Sequence, residues 1–203
     1  MATGTIILLN GTSSAGKTSL IKALQQVLDE PYLNAGIDKF LWMLPPRYLE
    51  QPLWSEVFQY TWPADGSPTG LTITAGPLSH RLMSGMHQAI AVLAATGNNV
   101  LADHVLLERR WLQECAELFS DFRAFLVAVR CPLEVVEQRE KERQDRTVGQ
   151  ARAYFHRVHA HSLYDLEIDT SLGSPMDCAL KIKGYLEHGQ PPWAFRAIRE
   201  GVA

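Results

Sequence analysis

Cysteine is scarce in this chain of 203 residues, and its three copies are not placed for cross-linking or for metal binding. Cys115, Cys131 and Cys178 are odd in number and lie far apart, without the closely spaced pairs that zinc sites and disulfide scaffolds use. The chain must therefore fold without such covalent or metal supports, and we expect a protein of the reducing cytoplasm.

Long hydrophobic runs and an excess of positive charge are missing as well. The apolar segment 5–9 is too short for the core of a signal peptide, and no run reaches the ~18 residues of a membrane span. The formal net charge of -3 argues against a general nucleic-acid binder, which usually carries a strongly basic face. We expect neither a membrane nor a nucleic acid as partner, and the sequence leaves homo-oligomer formation open.

The composition is otherwise that of an ordinary globular protein, with 46% hydrophobic and 20% charged residues. The length favours one domain, which we place at residues 1–188, followed by a C-terminal tail at 189–203. Residues 45–77 are rich in Pro, Gly, Trp and Tyr and show little periodicity. We interpret them as an insertion on the substrate side rather than as core.

One motif carries most of the functional information. Gly11, Gly16, Lys17 and Thr18 match every fixed position of the pattern G-x-x-x-x-G-K followed by Ser or Thr. The glycines of this pattern let backbone N–H groups point at phosphate oxygens, the lysine neutralises the β- and γ-phosphates, and the hydroxyl ligates Mg²⁺. We predict that ATP and Mg²⁺ bind at the loop residues Gly11, Thr12, Ser13, Ser14, Ala15, Gly16, Lys17, Thr18 and Ser19.

The motif lies between a predicted buried strand at 5–9 and a predicted helix at 17–28, as a phosphate loop requires. Further strands are predicted at 32–37, 100–103, 124–129 and 166–168, with helices between them. This alternation predicts an α/β fold of the three-layer P-loop NTPase type, in which helices flank a five-stranded parallel sheet and a lid segment is added. A glycine-rich turn that binds nothing is the alternative.

Two aspartates follow predicted strands and are candidates for the chemistry of phosphate transfer. Asp38 is our candidate for the base that takes the proton of an acceptor hydroxyl, and Asp103 for the acid that holds Mg²⁺. Both positions suit these roles because the carboxyl ends of parallel strands surround the ligand crevice of an open sheet. Each aspartate could instead cap a helix, and the sequence leaves that alternative open.

Arginines and histidines give weaker signals. Arg139, Arg143 and Arg146 are spaced four and three residues apart, which predicts one helical face on a lid at 137–152 that neutralises transferring phosphate. The alternative is a solvated helix paired with its own glutamates. The histidines at 156, 159 and 161 lack tight ligand spacing, which disfavours a metal site. Thr170 is predicted to contact the nucleotide, or else to lie at a helix start.

Together these segments resemble the chloramphenicol phosphotransferase family. The likeness covers most of residues 5–187 and is carried by segments 10–18, 36–38 and 129–132, the arginine series, Tyr164-Asp165 and Asp169-Thr170. The resemblance implies a fold similar to that of nucleoside monophosphate kinases and the ATP-dependent phosphorylation of a hydroxyl on chloramphenicol. It also implies that Asp38 matches the catalytic base, Lys17 and Thr18 the nucleotide and Mg²⁺ positions, and the three arginines a lid.

The chain departs from the family pattern at two places. The family has two adjacent acids after the third strand where this chain has Asp103-His104, and residues 42–77 do not align convincingly. The aromatic residues of 54–62 and the near-absence of arginine from the insertion favour a neutral, partly apolar acceptor. A kinase for a sugar or a shikimate-like acid, and a nucleotide-dependent switch without an acceptor, are the alternative functions.

Overall fold

Five parallel strands form the central sheet of the protein, whose computed structural model describes residues 2–143, 147–160 and 163–202. The described residues form seven strands, of which two lie outside this sheet. In chain order they are β1 (Thr5–Asn10), β2 (Tyr32–Asn34), β3 (Phe58–Thr61), β4 (Thr72–Ala75), β5 (Asn99–His104), β6 (Arg123–Arg130) and β7 (Leu166–Asp169). The order within the sheet is β2-β5-β1-β6-β7, while β3 and β4 pair antiparallel in a separate hairpin. The predicted five-stranded parallel sheet is confirmed.

Helices cover both faces of this sheet. In chain order they are α1 (Lys17–Val27), α2 (Ile37–Leu41), α3 (Pro77–Ala95), α4 (Arg109–Phe119), α5 (Leu133–Glu142), α6 (Gln150–Phe155), α7 (Pro175–His188) and α8 (Ala194–Arg199). Ile6 and Leu8 face a core built with α3, α4 and α8, whereas Ile7 and Leu9 face a second core built with α1 and α7. Because successive strand residues point to opposite faces, a strand covered on both sides is apolar throughout. The three-layer arrangement is therefore the one predicted.

The parallel register brings the functional segments to one edge of the sheet. β1 lies at the centre, where Leu9 is paired with Asp103 of β5 and Asn10 with Ala128 of β6. The loop that follows β1 therefore starts between the ends of two neighbouring strands. This edge, at the carboxyl ends of the strands, is where open α/β sheets bind ligands.

Residues 45–77 contribute to the core, so the interpretation that they lie outside it is wrong. Short 3-10 turns accompany the hairpin at Pro46–Tyr48, Leu53–Glu56 and Pro68–Gly70. Val57 and Ile73 are fully buried and pack in the same core as α3. Each hairpin strand has only four residues, which is too short for its alternation to stand out from the surrounding Pro- and Gly-rich sequence.

The C-terminal residues also belong to the domain, so a separate tail at 189–203 is not what the structure has. Phe195 of α8 is 2% exposed, and its ring meets that of Phe119 on α4 with centroids 5.5 Å apart. A carboxylate oxygen of Asp165 accepts hydrogen bonds from the backbone N–H groups of Trp193 (2.7 Å) and Ala194 (3.0 Å), which caps the helix. None of the helices in the described ranges has the length and hydropathy needed to cross a bilayer.

Candidate active site

The phosphate-binding motif forms the loop between β1 and α1. Ser14 (φ 60°) and Gly16 (φ 90°) both adopt the left-handed conformation, which turns nearby backbone N–H groups inward and creates a concave anion site. Gly11 is needed for a different reason, because a Cβ atom there would lie 2.5 Å from the carbonyl oxygen of Val129 on β6. The two glycines of the motif thus meet two different demands, a backbone conformation and a close approach.

Lys17, the first residue of α1, holds its ammonium group across this loop. The residue is 8% exposed, and Nζ donates hydrogen bonds to the carbonyl oxygens of Gly11 (2.7 Å) and Thr12 (2.8 Å). These contacts keep the positive charge beside the backbone N–H groups, where the motif places the β- and γ-phosphates. Thr18 and Ser19 follow on the first turn of the helix and are exposed.

The side chains of Asn10 and Thr12 face a neighbouring helix. The hydroxyl of Thr12 donates to the carbonyl oxygen of Ala151 in α6 (2.7 Å). Nδ2 of Asn10 donates to the carbonyl oxygen of Val158, just beyond the end of α6 (2.7 Å). Thr12 of the loop therefore holds the start of α6, and Asn10 at the end of β1 holds the turn that follows it. The phosphate contact predicted for Thr12 would have to come from its backbone N–H.

A cavity of about 970 Å³ opens in front of the loop. It brings together the predicted site residues Ser13, Ser14, Ala15, Gly16, Lys17, Thr18, Ser19, Asp38, Asp103, Arg139, Arg143 and Thr170. Of the predicted residues within the described ranges, Gly11 and Thr12 do not line it, and Arg146 lies outside those ranges. The volume is at the upper end of ligand pockets (~300–1,000 Å³), which suits a nucleotide with a second small molecule.

Asp38 lies in the first turn of α2 and not directly at a strand end, because β2 already ends at Asn34. The N-cap of α2 is Gly36, so Asp38 is not the capping residue that the alternative reading required. The residue is half-buried and lines the cavity. Asp38 therefore lies one short turn beyond the strand end where the sequence placed it, but at the expected edge of the sheet.

Asp103 is the penultimate residue of β5 and is 8% exposed. A Cβ atom at Gly36 would lie only 1.8 Å from Oδ1 of Asp103, so the carboxylate packs directly over the glycine that begins α2. This contact couples the position of Asp103 to the helix that carries Asp38. Asp103 is not a cap either, since the next helix begins only at Arg109, with Glu108 as its N-cap.

His104 stands where the family pattern has a second acid, but it is fully buried and does not line the described part of the cavity. Its Nε2 lies 3.0 Å from Nε2 of His87 on α3, and Nδ1 of His87 lies 2.8 Å from a carboxylate oxygen of Glu114 on α4. Burial lowers the pKa of His104 well below its usual range and also lowers that of His87. With both rings neutral, His87 donates to Glu114 and His104 donates to His87, so His104 joins β5 to two helices.

Arg139 and Arg143 both line the cavity, but they do not share one helical face. α5 ends at Glu142, and Arg143 has an extended backbone (φ -94°, ψ 128°), so the prediction of a continuous helical face is wrong. The β-branched pair Thr147-Val148 and Gly149 (φ 94°) separate α5 from α6, and such residues disfavour a helix. The lid predicted at 137–152 therefore contains the end of one helix and the start of another.

Arg139 contacts the loop after β7. Its Nη1 and Nη2 atoms donate to Oγ1 and to the carbonyl oxygen of Thr170, each at 3.0 Å. Oγ1 of Thr170 in turn donates to the carbonyl oxygen of Ala15 in the phosphate loop (2.8 Å). Thr170 is not a helix start, because α7 begins with a capping box formed by Ser174 and Asp177. These bonds place Arg139 and Thr170 against the phosphate loop.

Aromatic side chains form another part of the cavity lining. They are Trp42, Trp54, Phe58, Tyr60 and Tyr154. The ring centroid of Trp54 lies 5.6 Å from that of Phe58 and 6.4 Å from that of Tyr60. In the described part of the chain, the Lys and Arg side chains that line the cavity are Lys17, Arg139 and Arg143. Each of these described cations belongs to the phosphate loop or to the α5 side, and none belongs to the segments that carry the aromatic residues.

Two oxygen ligands suitable for Mg²⁺ lie beside the loop. The hydroxyl of Thr18 and the carboxylate of Asp103 both line the cavity, and Mg²⁺ takes such oxygens together with phosphate oxygens and water. No three His, Cys, Asp or Glu side chains within the described ranges converge on a metal site. The donor set therefore fits a nucleotide-bound Mg²⁺ better than a closed protein site of the zinc type.

The contribution of α6 to the cavity was not predicted from the sequence. Tyr154 is 3% exposed and lines both the cavity and the core, and Gln150 lines the cavity beside it. A helix of six residues is too short to show a reliable hydrophobic period, and Gly149 is the only local sign that a new element begins.

Comparison with solved structures shows a shared fold at low sequence identity. The Mycobacterium tuberculosis APS kinase CysC, in complex with AMPPNP and APS, has a TM-score of 0.56 and 15% identity, covering 92% of this chain and 99% of that kinase. The Acinetobacter baumannii shikimate kinase, in complex with shikimate, has a TM-score of 0.54 and 17% identity, covering 93% and 95%. These likenesses confirm the predicted P-loop kinase fold.

Sequence comparison gives a closer relation. Two Mycobacterium tuberculosis proteins, from strains CDC 1551 / Oshkosh and ATCC 25618 / H37Rv, are each 35% identical over 203 residues, covering 98% of this chain and 90% of the relative. Both carry the name "Putative O-phosphotransferase". The family model described as "Chloramphenicol phosphotransferase-like protein" matches residues 4–187. Because that match takes in the whole sheet and every residue of the cavity, the chain belongs to the chloramphenicol phosphotransferase-like family.

Proposed function

We propose that this protein transfers the γ-phosphate of ATP to a hydroxyl group of a neutral, partly aromatic small molecule, chloramphenicol or a similar compound. One observation carries the proposal: a single cavity joins a phosphate loop to an uncharged aromatic wall, with the Asp38 carboxylate also lining it. A nucleotide binder alone has no need of the aromatic wall. Asp38 lines the same cavity, so its carboxylate would be within the space that an acceptor hydroxyl occupies.

The transfer follows from the residues on the two sides of the cavity. The acceptor oxygen attacks the γ-phosphorus, the bond from that phosphorus to the bridging oxygen of ADP breaks, and Asp38 takes the hydroxyl proton. Lys17, Arg139 and Arg143 offset the negative charge on the phosphoryl oxygens. Thr18 and Asp103 would hold Mg²⁺, which when bound supplies charge neutralisation at the β- and γ-phosphates.

The charge of the cavity separates this proposal from the kinase alternatives. An anionic acceptor such as a shikimate-like acid needs a cation on the acceptor side, and in the described residues the cavity's cations are on the phosphate side. Gln51 and Gln150 also line the cavity and could bond a sugar, whereas Trp54 and Phe58 offer mainly apolar surface and favour an aromatic acceptor. A switch without an acceptor leaves the aromatic wall without a use.

The decisive experiment is a panel of hydroxyl-bearing compounds tested for acceptor-dependent release of ADP from Mg·ATP. The panel contains chloramphenicol, other neutral aromatic alcohols, glucose as a sugar, and shikimate as an acid. We expect ADP release to rise only with the neutral aromatic compounds. Release that rises with shikimate or glucose, or that is rapid with no acceptor, would contradict the proposal.

Asp38→Asn tests the assigned base within the same assay. The substitution keeps the size of the side chain and removes the proton acceptor, so kcat should fall by at least ~100-fold, the usual contribution of general base catalysis. The Kd for AMPPNP should stay within about twofold, because Asp38 belongs to α2 and not to the phosphate loop. Near wild-type transfer by this variant would show that the base is a different residue.

A further inference from the structure

One glutamate of the arginine-bearing helix α5 is almost completely buried. Glu140 is 1% exposed, and its carboxylate accepts hydrogen bonds from the backbone N–H groups of Gly149 (2.7 Å) and Ala151 (2.6 Å). Both donors belong to the start of α6, which follows Arg139 and Arg143 in the chain. Placing a carboxylate inside a protein is costly unless its oxygens are bonded, so this contact is a defined feature of the fold.

The same short helix is bonded to the phosphate loop. Ala151 receives the hydroxyl hydrogen bond of Thr12 at its carbonyl oxygen (2.7 Å) while its N–H group binds Glu140. One peptide residue thus connects the carboxylate of α5 with the second residue of the motif. The bond from Asn10, the last residue of β1, to the carbonyl oxygen of Val158 (2.7 Å) holds the residues that follow α6.

Glu140 is also bonded to Arg143 through its backbone and to Gly149 through its side chain. Its carbonyl oxygen accepts the backbone N–H of Arg143 (3.1 Å), and its carboxylate accepts the backbone N–H of Gly149 at the start of α6 (2.7 Å). Arg139, the preceding residue, turns towards Thr170 and so towards the phosphate loop. The side chain of Glu140 therefore links α5, which carries Arg139, to the start of α6 and through Ala151 to the phosphate loop.

We propose that Glu140 is a positioning residue for phosphoryl transfer, which acts through Ala151 and Thr12 to hold Arg143 at its place beside the phosphate loop. The proposal rests on the proposed function, since it assigns Arg143 to the transferring phosphate. Glu140 itself touches neither nucleotide nor acceptor. Its effect is therefore confined to the state in which the arginine is needed, the one with charge developing on the transferred group.

Glu140→Gln is the sharpest substitution. It keeps the size of the side chain but replaces one accepting oxygen with an NH₂ donor, which would face a backbone N–H. One of the two bonds to α6 is lost and Arg143 moves. Displacements of about 1 Å in an active site can lower rates by ~100-fold. Thr12→Val removes the other hydrogen bond of this series, the one from Thr12 to Ala151, with little change in side-chain volume. It should have a similar but smaller effect.

The test uses the full chain and compares two nucleotide complexes by titration calorimetry, so that it needs no acceptor. AMPPNP mimics ground-state ATP, and ADP with aluminium fluoride mimics the phosphoryl group in transfer. For Glu140→Gln we expect the Kd for AMPPNP to change less than about twofold and the Kd for ADP with aluminium fluoride to rise ~10- to 100-fold. Glu134→Gln, an exposed glutamate of the same helix, is the matched control and should change neither value.

A double-mutant cycle identifies the route of the effect. If Glu140 acts through Arg143, then Glu140→Gln adds less than about twofold to the loss already caused by Arg143→Ala. The proposal would be overturned if the two substitutions raised the Kd for ADP with aluminium fluoride by factors that multiply. It would also be overturned if Glu140→Gln weakened both nucleotide complexes equally, or if the wild type bound ADP no more tightly with aluminium fluoride than without it. Failure of the proposed function has a different signature, because a wild type that phosphorylates no acceptor can still show this cycle.

Discussion

Gly36→Ala should disable the site without altering any residue that takes part in the chemistry. A Cβ atom at this position would lie 1.8 Å from Oδ1, 3.0 Å from Cγ and 3.3 Å from the backbone nitrogen of Asp103. An ordinary van der Waals contact begins at 3.4 Å, so the carboxylate oxygen has to retreat by the difference, 1.6 Å. A carboxylate can make this movement by side-chain rotation, and we therefore expect the fold to survive.

The displacement removes Asp103 from its proposed place beside Mg²⁺ and disturbs the start of α2, which carries Asp38. Errors of about 1 Å at a reacting centre cost on the order of 100-fold in rate, so kcat should fall by at least this factor. The assay is acceptor-dependent ADP release over a range of Mg²⁺ concentrations, with the midpoint of thermal unfolding measured in parallel. The Mg²⁺ concentration for half-maximal rate should rise, because one oxygen ligand has moved.

Gly85→Ala is the matched control. A Cβ atom there meets no atom within 4 Å in the middle of α3, so this variant should keep full activity and gain up to ~1 kcal/mol of stability from helix propensity. A Gly36→Ala enzyme with wild-type kcat and wild-type Mg²⁺ dependence would refute the reasoning. A Gly36→Ala enzyme that unfolds would also refute the reasoning, since rotation of the Asp103 side chain would then not have relieved the clash.

Three further predictions address the acceptor wall, the C-terminus and the response to acid. Trp54→Ala should raise KM for an aromatic acceptor by about tenfold while leaving KM for ATP unchanged, because this ring belongs to the aromatic lining and not to the phosphate loop; equal changes in both would contradict the proposed acceptor role. Phe195→Ala should lower the free energy of unfolding in urea by about 3–5 kcal/mol, whereas Ala at the partly exposed Trp193 should cost much less; similar small losses would mean that α8 is not part of the core. Burial lowers the pKa of His159 to about 4, so between pH 6.5 and 4 the unfolded chain binds the proton that the folded protein refuses. The free energy of unfolding should therefore fall as the pH is lowered through this window, and His159→Gln should flatten that slope in urea titrations at several pH values.

The bond network around His159 gives the acid prediction a structural reason. Nδ1 of His159 lies 2.7 Å from the hydroxyl of Tyr164, and that hydroxyl also receives a hydrogen bond from Asn10 (2.7 Å). The hydroxyl therefore donates to a neutral Nδ1, and a proton on Nδ1 would oppose it. Asn10 immediately precedes the phosphate loop, so acid acts on the region next to this loop.

Some elements could be predicted because their information is local. The apolar run of β1 and the spacing of Gly11, Gly16 and Lys17 are contained in fewer than 20 residues, and strand, loop and helix follow within one residue of the expected bounds. Asp103 could be placed for the same reason, since it directly follows three buried strand positions. The short elements, namely the hairpin of residues 58–75, α6 and α8, were not predicted. Tertiary contacts and not periodicity decide their structure.

The sequence by itself determined the phosphate loop, the parallel sheet and the family, because a buried strand and a motif of fixed spacing are properties of contiguous residues. Only the tertiary structure decided that Asp103 packs over Gly36, that Arg139 turns to Thr170, and that Glu140 reaches the loop through Ala151. These contacts join residues from separate elements, some more than 30 positions apart, and a side-chain hydrogen bond depends on distances and directions that no local pattern encodes.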